Sequence, residues 1–152
     1  LAKNKKIDLQ LQNLNNIVYK IVPLLQAGAS ITDKHIFLEL HPIPDFWVDE
    51  KEVSQLIINL VCNALEVTPT GGNVTIKTSQ ENDVVMLSVI DQGSGIPPEI
   101  IEKLGTPFLT TKEHGTGLGL AICYSIAARH DAVINVSSDA SGTIFSVTFT
   151  KI

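Results

Sequence analysis

The sequence predicts an α+β fold in which one largely antiparallel sheet is covered by helices on one face. Three observations predict it. The hydrophobic pattern switches along the chain between a period of 3.6 and a period of two, with no internal repeat and no low-complexity linker. Strand-like segments occur in pairs joined by short polar turns, as antiparallel neighbours require. The chain has 152 residues, 44% hydrophobic and 18% charged, which is one ordinary domain with enough apolar side chains for a core.

In chain order, residues 7–10 read as a short strand. Leu14, Ile17, Val18, Ile21, Val22 and Leu25 then recur at helical spacing, predicting an amphipathic helix over 12–29. Pro23 inside it removes one backbone bond and is expected to bend it. Ile36, Leu38 and Leu40 alternate within a strand at 35–41. Asp49 and Glu52 have the spacing of a capping box ahead of Val53, Leu56, Ile57, Leu60, Val61, Ala64 and Leu65, so a second helix starts there. Pro69 and Gly71-Gly72 end it. Residues 73–79 and 84–90 form a hairpin around Glu81-Asn82-Asp83. From 91 to 119 the chain is rich in Gly, Pro and Thr. A third helix follows over 118–129, then strands at 132–137 and 143–150 joined across Asp139-Ala140-Ser141-Gly142.

Composition excludes several classes. Lys and Arg total 11 against 16 Asp and Glu, a net charge of −5, which argues against a broad nucleic-acid surface. The two cysteines, Cys62 and Cys123, have no C-x-x-C spacing, so neither a disulfide scaffold nor a zinc ribbon is built on them. Reduced cysteines fit a cytoplasmic domain. No apolar run reaches the length of a bilayer span. The start at Leu1-Ala2-Lys3, without an initiator Met, reads as a piece of a longer protein.

Four segments carry candidate chemistry. Asn59 and Asn63 are four apart on one helical face near the core. One buried Asn is ordinarily a satisfied core amide; two in register point to a site, and a neutral carbonyl oxygen suits a hard cation such as Mg²⁺. Asp91-Gln-Gly93-Ser-Gly95-Ile96-Pro97 follows a strand directly. A lone D-x-G is usually only a turn, yet a carboxylate accepts without donating, which suits the exocyclic amino group of adenine. Gly115-Thr116-Gly117-Leu118-Gly119-Leu120 opens a helix. It is neither G-x-G-x-x-G nor a P-loop, but its free N–H groups favour phosphate. Lys112, in Pro107-Phe108-Leu109-Thr110-Thr111-Lys112, lies just before these glycines and is a phosphate candidate.

In this order the segments resemble the catalytic, ATP-binding domain of bacterial sensor histidine kinases, within the gyrase, Hsp90, histidine kinase and MutL superfamily. Asn59–Asn63 resembles the N box, Asp91–Gly95 the G1 box, Phe108 the F box and Gly115–Gly119 the G2 box. The resemblance covers about residues 7–150. It implies a Bergerat-type, two-layer α/β sandwich of a mixed sheet and three helices. It implies ATP and Mg²⁺ as cofactors, with Asp91 accepting from the adenine amino group and Gly95 admitting the base. Asn63 would be the metal ligand and, with Lys112, would serve the transfer; Asn59 would lie near the phosphates. Gly93, Ile96, Phe108, Thr110, Thr111, Gly115, Thr116, Gly117, Leu118 and Gly119 would line the nucleotide, under a lid of about residues 96–114. Thr143 matches a threonine that holds adenine, often through water; otherwise it is an ordinary strand residue.

Three departures from the family pattern matter. Hydrolysing relatives carry a glutamate where this chain has Asn59, so transfer to a protein is expected and not fast hydrolysis. Glu66 stands where many such kinases have a basic or aromatic residue. The usual glycine pair after the last helix is Asp131-Ala132, which touches a helix C-cap. Of the four histidines, His35, His41, His114 and His130, none sits in a phosphoacceptor motif in the right place. The resemblance therefore implies a separate dimerisation domain bearing the acceptor histidine, with residues 1–6 as its tail and 7–152 as the catalytic domain. It implies a response regulator as partner, a monomeric isolated domain, a homodimeric full-length protein and membrane anchoring, if any, elsewhere. Two alternatives stand beside this reading: a serine kinase of the same superfamily that regulates a sigma factor, and a nucleotide-binding interaction module without catalysis.

Overall fold

The computed structural model describes residues 6–104 and 118–150, excluding the side chain of Leu118. Five strands form one sheet in the order β2-β4-β5-β7-β6: β2 is His35–Leu40, β4 Asn73–Glu81, β5 Val84–Ile90, β6 Ala132–Asp139 and β7 Gly142–Phe149. Only β2 and β4 run parallel; every other neighbouring pair is antiparallel. The expected sandwich is therefore present, mixed through its one parallel edge. Alternation does the sorting. Val74, Ile76 and Thr78 of β4 face Val85, Leu87 and Val89 of β5 on the buried side, and Phe145, Val147 and Phe149 of β7 continue that face. The other face carries Glu39, Lys77, Ser146 and Asn135 in adjacent register, with Lys77 Nζ 3.6 Å from Glu39 Oε2.

Three helices cover the apolar face: α1 (Leu14–Ile31), α2 (Glu50–Val67) and α4 (Leu118–Arg129). α2 lies on β4 and β5, α1 against β2 and α4 against β6. Leu14, Ile17 and Val18 of α1, Val53, Leu56, Ile57 and Leu60 of α2, and Cys123 and Ile126 of α4 are buried together. Each such aliphatic side chain stabilises the fold by about 1.5–3 kcal/mol.

The structure moves several predicted boundaries. The first strand is β1, Gln10–Gln12, and not 7–10; it pairs with β3, Phe46–Val48, in a separate two-stranded sheet. β3 was not expected, because three residues after Pro44-Asp45 show no period. α1 begins at Leu14 because the Asn13 side chain caps Asn15 N–H. It runs unbroken through Pro23, which is exposed. A short helix, α3 (Pro98–Ile101), interrupts the loop expected over 91–119. The hairpin turn holds Asn82 at φ 56°, and Asp131 after α4 takes φ 52°, the conformation a glycine would supply there.

The capping box at α2 is half formed. Asp49 Oδ1 accepts from Glu52 N–H at 3.1 Å. The Asp49 N–H, which a capping-box glutamate would take, donates instead to His130 Nε2 at 3.1 Å. Glu52 is buried and receives the Arg129 guanidinium as a fork, Nε–Oε1 2.8 Å and Nη2–Oε2 2.7 Å. His130 Nδ1 lies 2.9 Å from Ile126 O, so that ring nitrogen carries the proton and Nε2 accepts. The C-terminal end of α4 is thus clamped to the N-terminal end of α2. At the other end of α2, Lys34 Nζ donates to Leu65 O at 2.5 Å, supplying a cation that the last turn of the helix lacks.

Candidate functional site

Asp91 follows β5 and is buried to 6% exposure. Its backbone continues the sheet, N–H to Thr143 O at 2.9 Å. Its side chain turns back: Oδ1 accepts from Gly93 N–H at 2.9 Å and from Thr143 N–H at 3.0 Å. Both bonds end on Oδ1, and among the described residues none ends on Oδ2. One carboxylate oxygen is fixed by the chain, and the other keeps its capacity to accept.

The loop after Asp91 is stitched to the turn between β6 and β7. Gly95 has φ 93°, and a Cβ there would strike the Asp139 carbonyl. Gly142 has φ 147°, and a Cβ there would strike the Asp91 carbonyl. Both positions are closed to side chains by conformation and by contact. Gly95 thus has a packing reason to be glycine besides the expected admission of a base. Next to it, Ile96 N–H donates to Ser138 Oγ at 2.7 Å, and Ser138 Oγ lies 2.8 Å from Thr143 Oγ1. Thr143 is 3% exposed, and Ser138 is its register partner across β6 and β7. Behind Asp91, Gln92 N–H reaches Thr68 Oγ1 at 3.2 Å, while Gln92 Oε1 accepts from Asn73 N–H at 2.7 Å.

Asn59 and Asn63 lie half-buried on α2, as their spacing predicts. Asn59 Oδ1 accepts from Gln55 Nε2 at 3.1 Å, and its Nδ2 reaches Gly119 O at the longer distance of 3.5 Å. That contact brings the asparagine helix to the first turn of α4, where the glycine-rich segment ends. Glu66 is exposed near the end of α2. Cys123 sits between these helices; burial pushes its thiol up to about 12, against a hydrogen bond from Asn59, so it stays protonated. Among the described residues no group of three or more His, Cys, Asp or Glu could hold a metal ion. Phe108, Thr110, Thr111, Lys112, Gly115, Thr116 and Gly117 lie outside the described residues, as does the Leu118 side chain.

Of the expected site residues, the structure thus brings Asp91, Gly93, Gly95, Ile96 and Thr143 together at one sheet end, and Asn59 and Gly119 at a helix seam. Sequence reasoning missed Ser138, Gln92 and Thr68. Ser138 had one available signal: with the turn placed at Ala140-Ser141, strand pairing puts it opposite Thr143.

A five-stranded sheet under three helices, with a carboxylate and glycines at one strand end, is the architecture of histidine kinase catalytic domains. The catalytic domain of histidine kinase ThkA superposes with a TM-score of 0.87 at 31% identity, covering 95% of this chain and 97% of that one. Full-length ShkA in complex with AMPPNP gives 0.86 at 25% identity, covering 95% of this chain and 31% of that one. ThkA in complex with the response regulator protein TrrA gives 0.85 at 27%, covering 99% and 44%. Residues 48–151 match the family of histidine kinase-, DNA gyrase B- and HSP90-like ATPases, and the chain belongs to that family. Among its relatives are sporulation kinase E of Bacillus subtilis, 38% identical over 152 residues, and sporulation kinase C of the same organism, 36% over 150. Both alignments cover 97% of this chain, which spans only 20% and 35% of those relatives' lengths.

Proposed function

We propose that this chain is the ATP-binding catalytic domain of a sensor histidine kinase. It would deliver the γ-phosphate of ATP to a histidine on a dimerisation domain, with a response regulator receiving the signal downstream. One observation carries the reading most: Asp91 is held through Oδ1 by two backbone amides, leaving Oδ2 as an acceptor for the adenine amino group. Guanine presents a carbonyl oxygen at that ring position, which a carboxylate repels. The relatives' names and the nucleotide analogue in the ShkA complex support the same reading, and the ThkA–TrrA complex supports a response regulator as partner.

The donor set fits Mg²⁺. Asn63 offers a neutral carbonyl oxygen, a donor type that Mg²⁺ accepts, and Mg²⁺ taken up with a nucleotide would need few protein ligands. When bound, the ion would neutralise charge on the phosphates during transfer. Asn63 would orient it, Asn59 would lie on the phosphate side, and Lys112 with the Gly115–Gly119 segment would hold the phosphates. Asn59 is no base toward water, so transfer is favoured over hydrolysis. No described helix is long and apolar enough to cross a membrane; work in the cytoplasm, with any anchoring elsewhere in the protein, belongs to the proposal.

The test is transfer in trans. The domain is incubated with γ-labelled ATP, alone and with a dimerisation domain carrying its histidine. Acid-labile label is expected only on the added domain. Label on His114 of the domain alone, or a brisk ATPase abolished by Lys112→Ala, refutes the proposal. Recovery of a sigma factor in a pull-down would favour the serine kinase alternative.

A further inference from the structure

We infer that the open edge of β2 is a self-association surface: a second copy of this domain adds its own β2 there, antiparallel and in one register, with Phe37 on the two-fold axis. β2 ends the sheet order, and no other described strand lies on its outer side. In the parallel ladder, His35 N–H to Gly72 O at 3.0 Å and His41 N–H to Thr78 O at 3.2 Å set the phase. Odd-numbered residues therefore bond to β4, and Ile36, Leu38 and Leu40 turn their N–H and C=O groups outward. Edges of this kind are ordinarily guarded by lysine, proline or a bulge. β2 reads His-Ile-Phe-Leu-Glu-Leu, pairs through all six residues without a break and carries none of these. Phe37, on the face away from the core, is 54% exposed.

The strand is complementary to itself, which selects a second copy as the occupant. Antiparallel about Phe37, Ile36 of one copy faces Leu38 of the other on the core side, and His35 faces Glu39 on the open side; the two-fold repeats both pairs. The Phe37 rings meet at a non-hydrogen-bonded position, where side chains approach most closely, and the His–Glu pairs flank them. An imidazole N–H can donate to the Glu39 carboxylate, which Lys77 and His41 of its own copy approach at 3.6 and 3.4 Å. The neighbouring registers that keep the faces are worse. Centred on Leu38, Phe37 faces Glu39 and His35 faces His41; centred on Glu39, two carboxylates face each other; centred on Ile36, Glu39 faces Asp33. A groove of about 270 Å³ lies beside the start of β2, walled by Gln26, Ala29 and Ser30 of α1. In the selected register the half-buried Leu40 of the second copy comes opposite Lys34, at that groove. Such a contact buries on the order of 1,000 Å² in total, the low end for a specific interface, so the pair is weak and reversible. It departs from the monomeric isolated domain that the resemblance implies.

The test is sedimentation equilibrium of the domain over a concentration series, with circular dichroism and ATP titration as folding controls. The parent is expected to dimerise reversibly. Phe37→Asp, which sets two carboxylates on the axis, should weaken association by roughly ten-fold or more and leave ATP affinity unchanged. His35→Glu sets like charges at both ends of the pairing, and Glu39→Lys removes both acceptors, so each alone should associate poorly. Mixed in equal amounts, these two variants are complementary at both ends and should recover the dimer. The mixture reads the register itself, because a merely structural effect of either substitution would not be restored by the other. A parent that stays monomeric up to about 1 mM overturns the inference and leaves the edge to a strand of another protein. A dimer that persists in Phe37→Asp, or a mixture no more associated than its parts, overturns it too. Should Phe37→Asp not fold, the mixture decides.

Discussion

The two ends of α4 are held very differently. At its C-terminal end a two-pronged Arg129–Glu52 ion pair and a His130–Asp49 bond fasten it to the start of α2, and the His130 ring lies edge-on to Phe149 at 6.3 Å. At its N-terminal end, beside the asparagines, Asn59 Nδ2 reaches Gly119 O at 3.5 Å. The charged and forked contacts described for α4 thus lie at its C-terminal end. The sheet end at Asp91 resembles the clamped end: Asp91, Gly93, Ile96, Ser138 and Thr143 are bonded among themselves. On the proposed reading, the edge that would recognise a base is held by the sheet itself.

Four experiments break or sharpen that contrast. The largest effect is expected from Arg129→Ala, which leaves the Glu52 carboxylate, 1% exposed, without its bidentate cation. Breaking a buried pair costs about 3–5 kcal/mol; partial exposure of Arg129 reduces this to roughly 2–4 kcal/mol. Urea unfolding should show that loss, while ATP affinity of the folded fraction changes little. A variant that keeps full stability would remove the clamp from the picture.

Asp91→Asn should do the reverse, sparing the fold and costing roughly 1.5–3 kcal/mol of ATP binding, about ten- to a hundred-fold. Titration of the parent with ATP and GTP is the control, because equal affinities would sink the role of Asp91.

Asp49 tests the clamp by pH. Burial pushes its carboxyl up, but the N–H groups of Asp8, Glu52 and Lys51, together with His130, outweigh this and hold it below its ordinary value of 3.8. A depressed carboxyl stabilises the fold in full above its unfolded value and loses that contribution as pH falls through the folded one. The urea midpoint should therefore drop below about pH 4, and Asp49→Asn, at a cost of about 1 kcal/mol or less, should flatten that drop.

The smallest effects concern the loose end. Asn63→Ala should keep the fold and lose the Mg²⁺-dependent part of ATP binding, and Asn59→Ala should lose less, on the order of 0.5–1 kcal/mol. Titrations with and without Mg²⁺ separate them. Retention of the whole Mg²⁺ effect in Asn63→Ala would move the metal ligand elsewhere, with Glu66 next to be tested.

The long periodic segments were legible because burial enforces period. The seven apolar positions at helical spacing between Val53 and Leu65 define α2, and the alternation on either side of Asn82 defines the hairpin. β3 was illegible, since Phe46–Val48 is a strand only because Gln10–Gln12 lies beside it. The capping box was misread in part for the same kind of reason: local spacing did not reveal that Glu52 would be claimed by Arg129, 77 residues away. Resemblance to known motifs singled out Asp91 and Thr143 as candidates, and the structure brings them into hydrogen-bond contact. Ser138 was not singled out, because its contact with Thr143 follows from the register opposite it.

The bond between Asp91 and Thr143 has a consequence for the making of the molecule. Its two ends are 52 residues apart, and β5 finds its second neighbour only in the last strand of the sheet. A nascent chain leaving the ribosome can form α2 and the β4–β5 hairpin early, but the Asp91 carboxylate stays open to water until Thr143 emerges. Pairings this distant in sequence are slow to close. The Asp91–Thr143 end of the sheet is thus among the last features to be completed during synthesis. A chain cut short just before β7 carries every residue of the asparagine helix and of the loop after Asp91, and still lacks the strand that fixes the Asp91 carboxylate.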